Sequence, residues 1–359
     1  MTSLNTVESA LLYVSVYGLS SLCVAWKDKI TIGSRKKPIT LLFIALLLPV
    51  LLAAYRVNVG SDYYNYLWIY NRAANWPISQ LVYNYNFISS TPIGMVLVAK
   101  ITSMFGSERL YFGALATISY LPFLYYICKN EDIGHKGTAI FLYLLSNFST
   151  GLNTTKQIIA INIVLFGLKA VYERKAIKYI VIITVATLFH QTAIVALPIY
   201  FLMDKNGSIS SGKRLVAIVV SFIGLVIFDN ILISLGGRWA EYADSSGTIN
   251  LTFFLNLWWL IVFLWMRGSL VKKSYRNELN IILFAVGTIM SLLGFWSVFG
   301  KRIASYYTIV EILLMSQIPE VVSHSNKRIV GMMILLYSLC MFILSFVIRG
   351  QSGLIPYSF

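Results

Sequence analysis

The first residues of this sequence that could take part in chemistry lie at positions 56–66, directly after an apolar run. Arg56 is followed by Asp62, Tyr63 and Tyr64, so the segment combines a cation, a carboxylate and aromatic rings. A guanidinium suits bidentate binding of phosphate, and an aromatic ring offers an apolar face on which a sugar can stack. Together with the other cations of the predicted outer face, this segment suggests a lipid-linked, phosphorylated glycan as ligand. For Trp68 and Trp76 an interfacial aromatic belt is the alternative.

Two further positions carry titratable groups in apolar surroundings. Lys156 and Gln157 open an apolar helix, where a cation opposes the helix macrodipole and a bound anion would relieve the conflict. A lysine that only extends to the membrane interface is the alternative. His190 interrupts a long apolar stretch, and an unperturbed imidazole titrates near neutral pH, which suits proton transfer. A histidine satisfied inside the core is the alternative for this residue.

The second half of the chain adds two cationic segments. Arg238 lies with Trp239 in a glycine-flanked loop that also fits an ordinary amphipathic cover. Lys301 and Arg302 stand at the start of an apolar run and are followed by Tyr306. These two cations lie on the predicted outer side of the membrane. Lys and Arg are usually enriched on the cytoplasmic side, so their position is unusual. They predict an anionic partner, either a carboxylate or a substrate phosphate.

Composition decides the class of protein. The chain has 359 residues, of which 58% are hydrophobic and 12% charged, whereas about a quarter of the residues of a soluble protein are charged. The net charge of +15 comes from basic residues in short loops between apolar runs, so it indicates membrane orientation and not nucleic-acid binding. The three histidines are far apart and the three cysteines show no CxxC spacing, so we expect no metal site and no cofactor.

The apolar runs predict an all-α polytopic membrane protein with about ten full transmembrane helices, because a helix needs about 20 mostly apolar residues to cross the hydrocarbon core. Two stretches do not fit a single crossing: 91–105 is short and carries Lys100, and 177–203 is interrupted around His190. We expect both to form half-length or re-entrant helices. The predicted full spans lie at about 7–25, 37–55, 109–128, 137–152, 155–172, 213–234, 251–266, 279–299, 303–318 and 328–349.

The positive-inside rule orients these elements, since short cytoplasmic loops are enriched in Lys and Arg. Six loops are basic, at 27–37, 129–136, 174–178, 205–214, 267–276 and 327–328. All six can be cytoplasmic only if 91–105 does not cross the membrane and 177–203 enters and returns. Both termini are then outside.

The whole chain, 1–359, is predicted to be a single transmembrane domain with outer-face loops at 56–108 and 235–250. Irregular backbone at membrane depth requires protein or water to satisfy its hydrogen bonds. The break around His190 therefore predicts a cavity on the outer side.

Taken together, the motifs resemble those of the EpsG-like group of Wzy-type bacterial polysaccharide polymerases, and the resemblance covers most of the chain. The motifs are Arg56 with Gly60-Ser-Asp62-Tyr63-Tyr64, Lys156-Gln157-Ile-Ile-Ala160, Phe189-His190-Gln-Thr-Ala193 with Leu197-Pro198, and Arg302 with Tyr306. This family usually shows Arg-Gln where the chain has Lys156-Gln157, so the positive charge is kept and the bidentate geometry is lost.

The resemblance implies a glycosyltransferase of the bacterial cytoplasmic (inner) membrane with its active face outward. Such an enzyme joins oligosaccharide repeat units carried on a polyprenyl diphosphate such as undecaprenyl diphosphate, and the product is O-antigen, capsule or exopolysaccharide. It needs no nucleotide sugar and no metal. The expected partners are the lipid-linked oligosaccharide, the lipid bilayer, and a chain-length regulator or flippase, with no nucleic acid among them.

The resemblance also suggests roles for individual residues. Arg302, Arg56 and Lys156 are expected to hold the diphosphate leaving group and to neutralise the charge that grows as the anomeric bond breaks. His190 is the first candidate for the base that deprotonates the acceptor hydroxyl, and Asp62 is the second. The other expected substrate-binding residues are Gln157, Arg238, Tyr63, Tyr64 and Tyr306.

A transporter or flippase of the same lipid-linked oligosaccharide is the alternative function, since it would also use broken helices and a basic cavity. A transporter needs ionisable groups at mid-depth or groups accessible from both faces. The predicted spans after residue 250 are nearly free of charge between their ends, and Glu311 is the exception that keeps this alternative open.

Overall fold

The computed structural model describes residues 3–27, 31–32, 35–36, 38–84, 91–204, 207–235, 251–295 and 298–359. In these ranges the chain is almost entirely helical, and a two-residue antiparallel strand pair joins Thr31–Ile32 to Arg35–Lys36. The α-helices are Thr6–Trp26, Pro38–Tyr55, Tyr63–Asn75, Ile78–Tyr83, Ile93–Ser103, Glu108–Lys129, Lys136–Tyr143, Ser149–Asn153, Thr155–Tyr172, Ala176–Thr187, Ile199–Leu202, Ser211–Leu235, Leu251–Trp265, Arg267–Lys273, Arg276–Met290, Val298–Thr308, Glu311–Val321 and Lys327–Phe342. Shorter π-helical or 3-10 segments are Leu144–Phe148, Gln191–Ala196, Ser291–Phe295, Ile343–Ile348 and Gln351–Gly353.

The described helices confirm an all-α polytopic class, but the predicted number of about ten full spans is wrong. By length and apolar composition, five of the described helices are able to cross a membrane, or six if Leu251–Trp265 and Arg267–Lys273 form one bent span. The five are Thr6–Trp26, Glu108–Lys129, Thr155–Tyr172, Arg276–Phe295 and Lys327–Ile348.

Two of the predicted spans that are not found coincide with helix irregularities inside apolar runs. The run predicted as the span 303–318 is divided, because one helix ends at Thr308 and the next begins at Glu311. The run predicted at 137–152 is interrupted by the π-helical segment Leu144–Phe148. A hydropathy window counts apolar residues, whereas a break is stabilised by neighbouring side chains and backbone groups that the window does not include.

The region around His190 is a broken helix pair, as predicted. The first helix ends at Thr187, and the chain after His190 runs back beside this helix. The Tyr179 hydroxyl donates a hydrogen bond to the carbonyl oxygen of Ala196 at 2.7 Å. Arg174 and Tyr200 are joined in the same way, each side chain donating to the other residue's carbonyl oxygen at 2.7 and 2.9 Å. The segment before His190 therefore lies beside the segment after it.

The chain divides into two compact units. The first, which we name unit 1, comprises Met1–Phe166, Val185–Gln191 and His324–Phe359. Its helices pack in pairs, and the amphipathic helix Tyr63–Asn75 lies against Ile93–Ser103. The latter helix has only 11 residues, a length that agrees with a segment that does not cross the membrane.

Both ends of the chain lie beside the loop that follows the second long helix. The backbone N–H of Leu4 donates to the Tyr357 carbonyl oxygen, and that of Val57 donates to the Ser358 carbonyl oxygen, both at 2.9 Å. The Tyr357 hydroxyl donates to the carbonyl oxygen of Leu52 at 2.8 Å. The two termini thus share one side of unit 1 with this loop, and the outward orientation of that side stays a prediction.

The second unit, named unit 2, comprises Gly167–Thr184 and Thr192–Ser323. Its central helix is Arg276–Met290, whose buried polar side chains are paired: the amides of Asn277 and Gln317 exchange hydrogen bonds at 2.9 and 3.1 Å. Such pairing is required because an unsatisfied amide in an apolar interior is costly. The helices that pack on the central one are Ser211–Leu235, Leu251–Trp265 and Val298–Thr308.

Candidate functional site

Arg56 follows directly on the helix Pro38–Tyr55 and is only 3% exposed. Its guanidinium donates to the carbonyl oxygen of Leu152 and lies 5.1 Å from the ring centroid of Phe112. Burial lowers the pKa of Arg56, since a charge loses hydration in the interior. Its Nε is buried without a hydrogen bond to any described residue, and the cavity beside it has about 10 Å³ of space, room for about one water molecule. Arg56 is therefore anchored inward.

Gly60 lies in the same loop and has a positive φ of 98°. A Cβ at this position would lie 3.3 Å from the Leu152 carbonyl oxygen and 3.4 Å from the Arg56 guanidinium. A side chain is therefore disfavoured both by the backbone conformation and by the close approach of the neighbours. The glycine allows the loop to close tightly over the anchored arginine.

Asn153 joins the first two predicted motifs. Its side-chain oxygen accepts the backbone N–H of Asp62 at 2.6 Å, and its carbonyl oxygen accepts the hydroxyl of Tyr66 at 2.9 Å. Burial raises the pKa of Tyr66 to about 12, so this hydroxyl keeps the proton that it donates. Lys156 and Gln157 lie in the first turn of the helix that begins two residues later. The Arg56–Asp62 loop and the helix start that carries Lys156 are thus held together in unit 1.

The side chains at this junction differ in their access to solvent. Tyr63 is buried and stacks on Phe112 with ring centroids 4.9 Å apart. Tyr64 is 60% exposed and meets Tyr63 edge-on at 5.4 Å. Lys156 is half-buried, and Gln157 is buried. Of the predicted tyrosine pair, only Tyr64 presents an open aromatic face in this structure.

His190 is half-buried and stands just after the end of a helix, where its backbone N–H donates to the Ala186 carbonyl oxygen at 3.0 Å. The residues before it are docked on Gly94, whose N–H donates to the Leu188 carbonyl oxygen at 2.8 Å. A Cβ on Gly94 would come within 2.9 Å of that oxygen and 3.0 Å of the Phe189 ring. A glycine at position 94 thus lets the His190 segment approach.

The three motif segments of unit 1 contribute to one buried group of side chains, which we name the aromatic cluster. Phe189 packs against it from the His190 segment, and Ile159 belongs to it from the helix that starts with Lys156. Its buried members are Tyr63, Tyr66, Ile69, Tyr70, Ala73, Met95, Ala99, Tyr111, Phe112, Leu115 and Ile159. The fold therefore brings residues distant in sequence to one region of unit 1.

Unit 2 contains the last predicted motif. Tyr306 is buried, and its hydroxyl lies 3.1 Å from the hydroxyl of Thr192. Tyr307 donates from its hydroxyl to the Val195 carbonyl oxygen. Arg302 is half-buried, one helical turn before Tyr306 on the same helix. Tyr306 thus contacts and stabilises the segment that begins at Thr192.

The motifs lie within a larger match to known sequences. The sequence profile of the EpsG family matches residues 39–359. The chain belongs to the EpsG family. No curated protein and no solved structure matches it significantly. Membership of the EpsG family confirms the resemblance drawn from the motifs, and it indicates a membrane protein with a polysaccharide polymerase-like function.

The structure bears on two remaining features of this EpsG-family protein, the position of Arg238 and groups of metal-binding side chains. Arg238 and the predicted outer loop 235–250, apart from its first residue, lie outside the described residues. Within the described ranges, no three His, Cys, Asp or Glu side chains come together in a group that could hold a metal ion.

Sequence reasoning missed the contribution of the C-terminal tail. The N–H of Gly60 donates to the Gly353 carbonyl oxygen at 2.9 Å, and the N–H of Ser61 donates to the Ser352 carbonyl oxygen at 3.0 Å. The C-terminal tail therefore holds the Arg56–Asp62 loop through two backbone hydrogen bonds. The sequence signal for this tail was the pair of glycines at 350 and 353 after the last apolar run, which indicates a turn. In the structure both glycines adopt a positive φ.

Proposed function

We propose that this EpsG-family protein is a polysaccharide polymerase, a glycosyltransferase that joins polyprenyl-diphosphate-linked oligosaccharide repeat units on the outer face of the cytoplasmic membrane. The observation that carries the proposal is the meeting of three segments at the aromatic cluster: the Arg56–Asp62 loop, the helix start at Lys156 and the segment before His190. Cations, a carboxylate, an imidazole and tyrosine rings are the groups that a phosphorylated glycan requires.

The growing chain is the proposed donor, and the bond that breaks joins its anomeric carbon to the diphosphate. Lys156 supports this step, because a half-buried cation in the first turn of a helix adds its charge to the N–H groups that favour an anion. Arg56 acts through the loop, since its guanidinium is engaged with the Leu152 carbonyl oxygen. Arg302, Arg238 and Tyr306 stay in the proposal as substrate-binding residues on sequence grounds.

The new repeat unit is the proposed acceptor. His190 takes the proton from its hydroxyl while that oxygen bonds to the anomeric carbon, and the lipid diphosphate leaves with the electron pair of the broken bond. Asp62 is the second candidate for this base, because its carboxylate stands at the end of the Arg56–Asp62 loop, just before the helix Tyr63–Asn75, and accepts a hydrogen bond from Asn65 at 3.0 Å. Tyr64 offers its open ring face to a sugar.

A transporter of the same lipid-linked oligosaccharide is the second candidate, and Glu311 is the observation that favours it. This carboxylate begins a helix at a break inside an apolar run, a position that suits a coupling site in a transporter. The polymerase is preferred because the three motif segments of unit 1 meet at the aromatic cluster.

The test uses purified full-length protein with lipid-diphosphate-linked repeat units and looks for a ladder of longer products. We expect a ladder from the wild type, a loss of at least about 100-fold in its rate for His190→Ala, and no change for His324→Ala, a matched control at an exposed histidine. Transbilayer movement of the substrate without a ladder would instead identify the transporter. A full ladder from His190→Ala would refute the choice of base.

The sidedness of the site is tested separately. Cysteines placed at positions 156 and 190 should react with a membrane-impermeant thiol reagent from the outer side of intact cells. Labelling from the cytoplasmic side alone would overturn both the topology and the polymerase mechanism.

A further inference from the structure

A second basic site lies in unit 2, where three loops with excess basic charge meet. The end of the helix Thr155–Tyr172, the loop before Arg214 and the loop around Tyr275 together line an open cavity of about 620 Å³. This volume lies within the range of sites for small ligands, roughly 300 to 1,000 Å³. The positive-inside rule predicts that all three loops face the cytoplasm, and none of the motif residues of unit 1 lines this cavity.

The charged wall of the cavity consists of two arginines that share one carboxylate. Arg267 binds Glu278 in bidentate fashion, with its Nε and Nη2 donating at 2.9 and 2.7 Å. An Nη of Arg214 lies 3.2 Å from the same carboxylate. Two positive charges are thus offset by one negative charge, which leaves this wall with a net charge of +1.

The carboxylate also fixes the guanidiniums in place without using all of their donors. A guanidinium carries five N–H groups, and Arg214 makes its other described hydrogen bond to Ser211 at 3.4 Å. Donors held in this way are arranged in advance for an anion that accepts several hydrogen bonds, such as a phosphate.

The rest of the cavity wall is partly aromatic. Tyr172 and Tyr275 line it, and the Arg276 guanidinium lies 5.3 and 5.8 Å from their ring centroids. Val271 adds an apolar side chain. A ligand that combines an anionic group with apolar atoms would match this surface.

We propose that the unit 2 cavity binds a phosphate ester, with Arg214 and Arg267 as the residues that hold its oxygens. Basic pockets between helices on the cytoplasmic side of membrane proteins are suited to anionic lipid headgroups. A phospholipid headgroup and a free phosphate ester present the same group to the arginines. The site is independent of the proposed polymerase chemistry.

Three variants of the full-length protein test the assignment. Arg214→Gln removes one cavity charge and leaves the bidentate pair of Arg267 and Glu278 intact. Glu278→Gln removes the offsetting negative charge. Lys272→Gln is the matched control, because Lys272 is an exposed residue of the helix Arg267–Lys273, which also carries Arg267, and does not line the cavity.

The lipid is tested by native mass spectrometry, which counts the phosphatidylglycerol molecules that the purified protein retains against phosphatidylcholine. The free ester is tested by thermal unfolding with glycerol 3-phosphate. We expect Arg214→Gln to weaken binding by about tenfold, as the loss of a charge-assisted hydrogen bond predicts. Glu278→Gln should strengthen binding, and Lys272→Gln should leave it unchanged.

Each outcome decides the matter. An Arg214-dependent preference for phosphatidylglycerol identifies the membrane lipid as the ligand, and an Arg214-dependent shift with glycerol 3-phosphate alone identifies a soluble ester. If neither probe distinguishes Arg214→Gln from Lys272→Gln, the arginines form only a structural ion pair with Glu278 and the proposal is refuted. That comparison remains decisive if Glu278→Gln does not fold.

Discussion

Replacing Asn153 by alanine should release the Asp62 loop without unfolding unit 1. The side-chain oxygen of Asn153 accepts the Asp62 N–H at 2.6 Å, and alanine leaves that donor without its partner. The hydrogen bond from Tyr66 goes to the backbone carbonyl of Asn153 and survives the change. A partly buried N–H that loses its partner costs about 1–3 kcal/mol, so the ratio of docked to released loop should fall by roughly 5- to 150-fold.

Hydrogen exchange measures this loss directly, because the Asp62 amide is the donor in question. Its protection should fall in Asn153→Ala, and the rate of ladder formation should fall with it if the docked loop is the active form. Asn153→Asp keeps an acceptor oxygen and should keep the protection. Thr154→Ala is the matched control, because the Thr154 hydroxyl donates at 3.1 Å to Thr150, within its own helical segment.

Unchanged exchange at Asp62 in Asn153→Ala would refute the docking argument, whatever happens to the activity. A loss of protection in Thr154→Ala equal to that in Asn153→Ala would also refute it. In that case the helix end as a whole, and not the one hydrogen bond, would hold the loop.

Two further predictions concern stability in detergent, measured as the thermal unfolding temperature. Gly60→Ala should destabilise the protein by more than about 1 kcal/mol, because position 60 has a positive φ and the new Cβ would lie 3.3 Å from the Leu152 carbonyl oxygen. Gly18→Ala is the control and should not lower the unfolding temperature, because its Cβ would meet nothing within 4 Å. Tyr306→Phe should cost about 1 kcal/mol by leaving the Thr192 hydroxyl without this partner. Thr192→Val combined with Tyr306→Phe should cost less than the sum of the two single changes, and strict additivity would show that the two hydroxyls do not interact.

Local patterns in the sequence were sufficient for several features. The composition predicted a polytopic membrane protein, because 58% hydrophobic residues with 12% charged ones do not suit a soluble fold. The charge of the loops required a break around His190, and the described structure has one. The motifs at Arg56, Lys156, His190 and Arg302 predicted the family, which the match over residues 39–359 confirms.

Local patterns failed where a helix break lies inside an apolar run. The run at 303–318 has the hydropathy of a span, yet it is divided between Thr308 and Glu311. Gly287 shows the kind of contact involved, because a Cβ on it would come within 2.7 Å of the Thr308 side chain. Hydropathy contains no information about such an approach.

The sequence by itself determined the class, the family and the types of group available for chemistry. Tertiary structure decided what those groups do: it buries Arg56 against the Leu152 carbonyl oxygen, and it assigns to Asn153 the docking of a loop 91 residues away in sequence. The physical reason is that apolar content and charge bias act along a stretch of chain and are visible in its composition. A hydrogen bond depends on the positions of two particular atoms, which only the packed chain brings within reach.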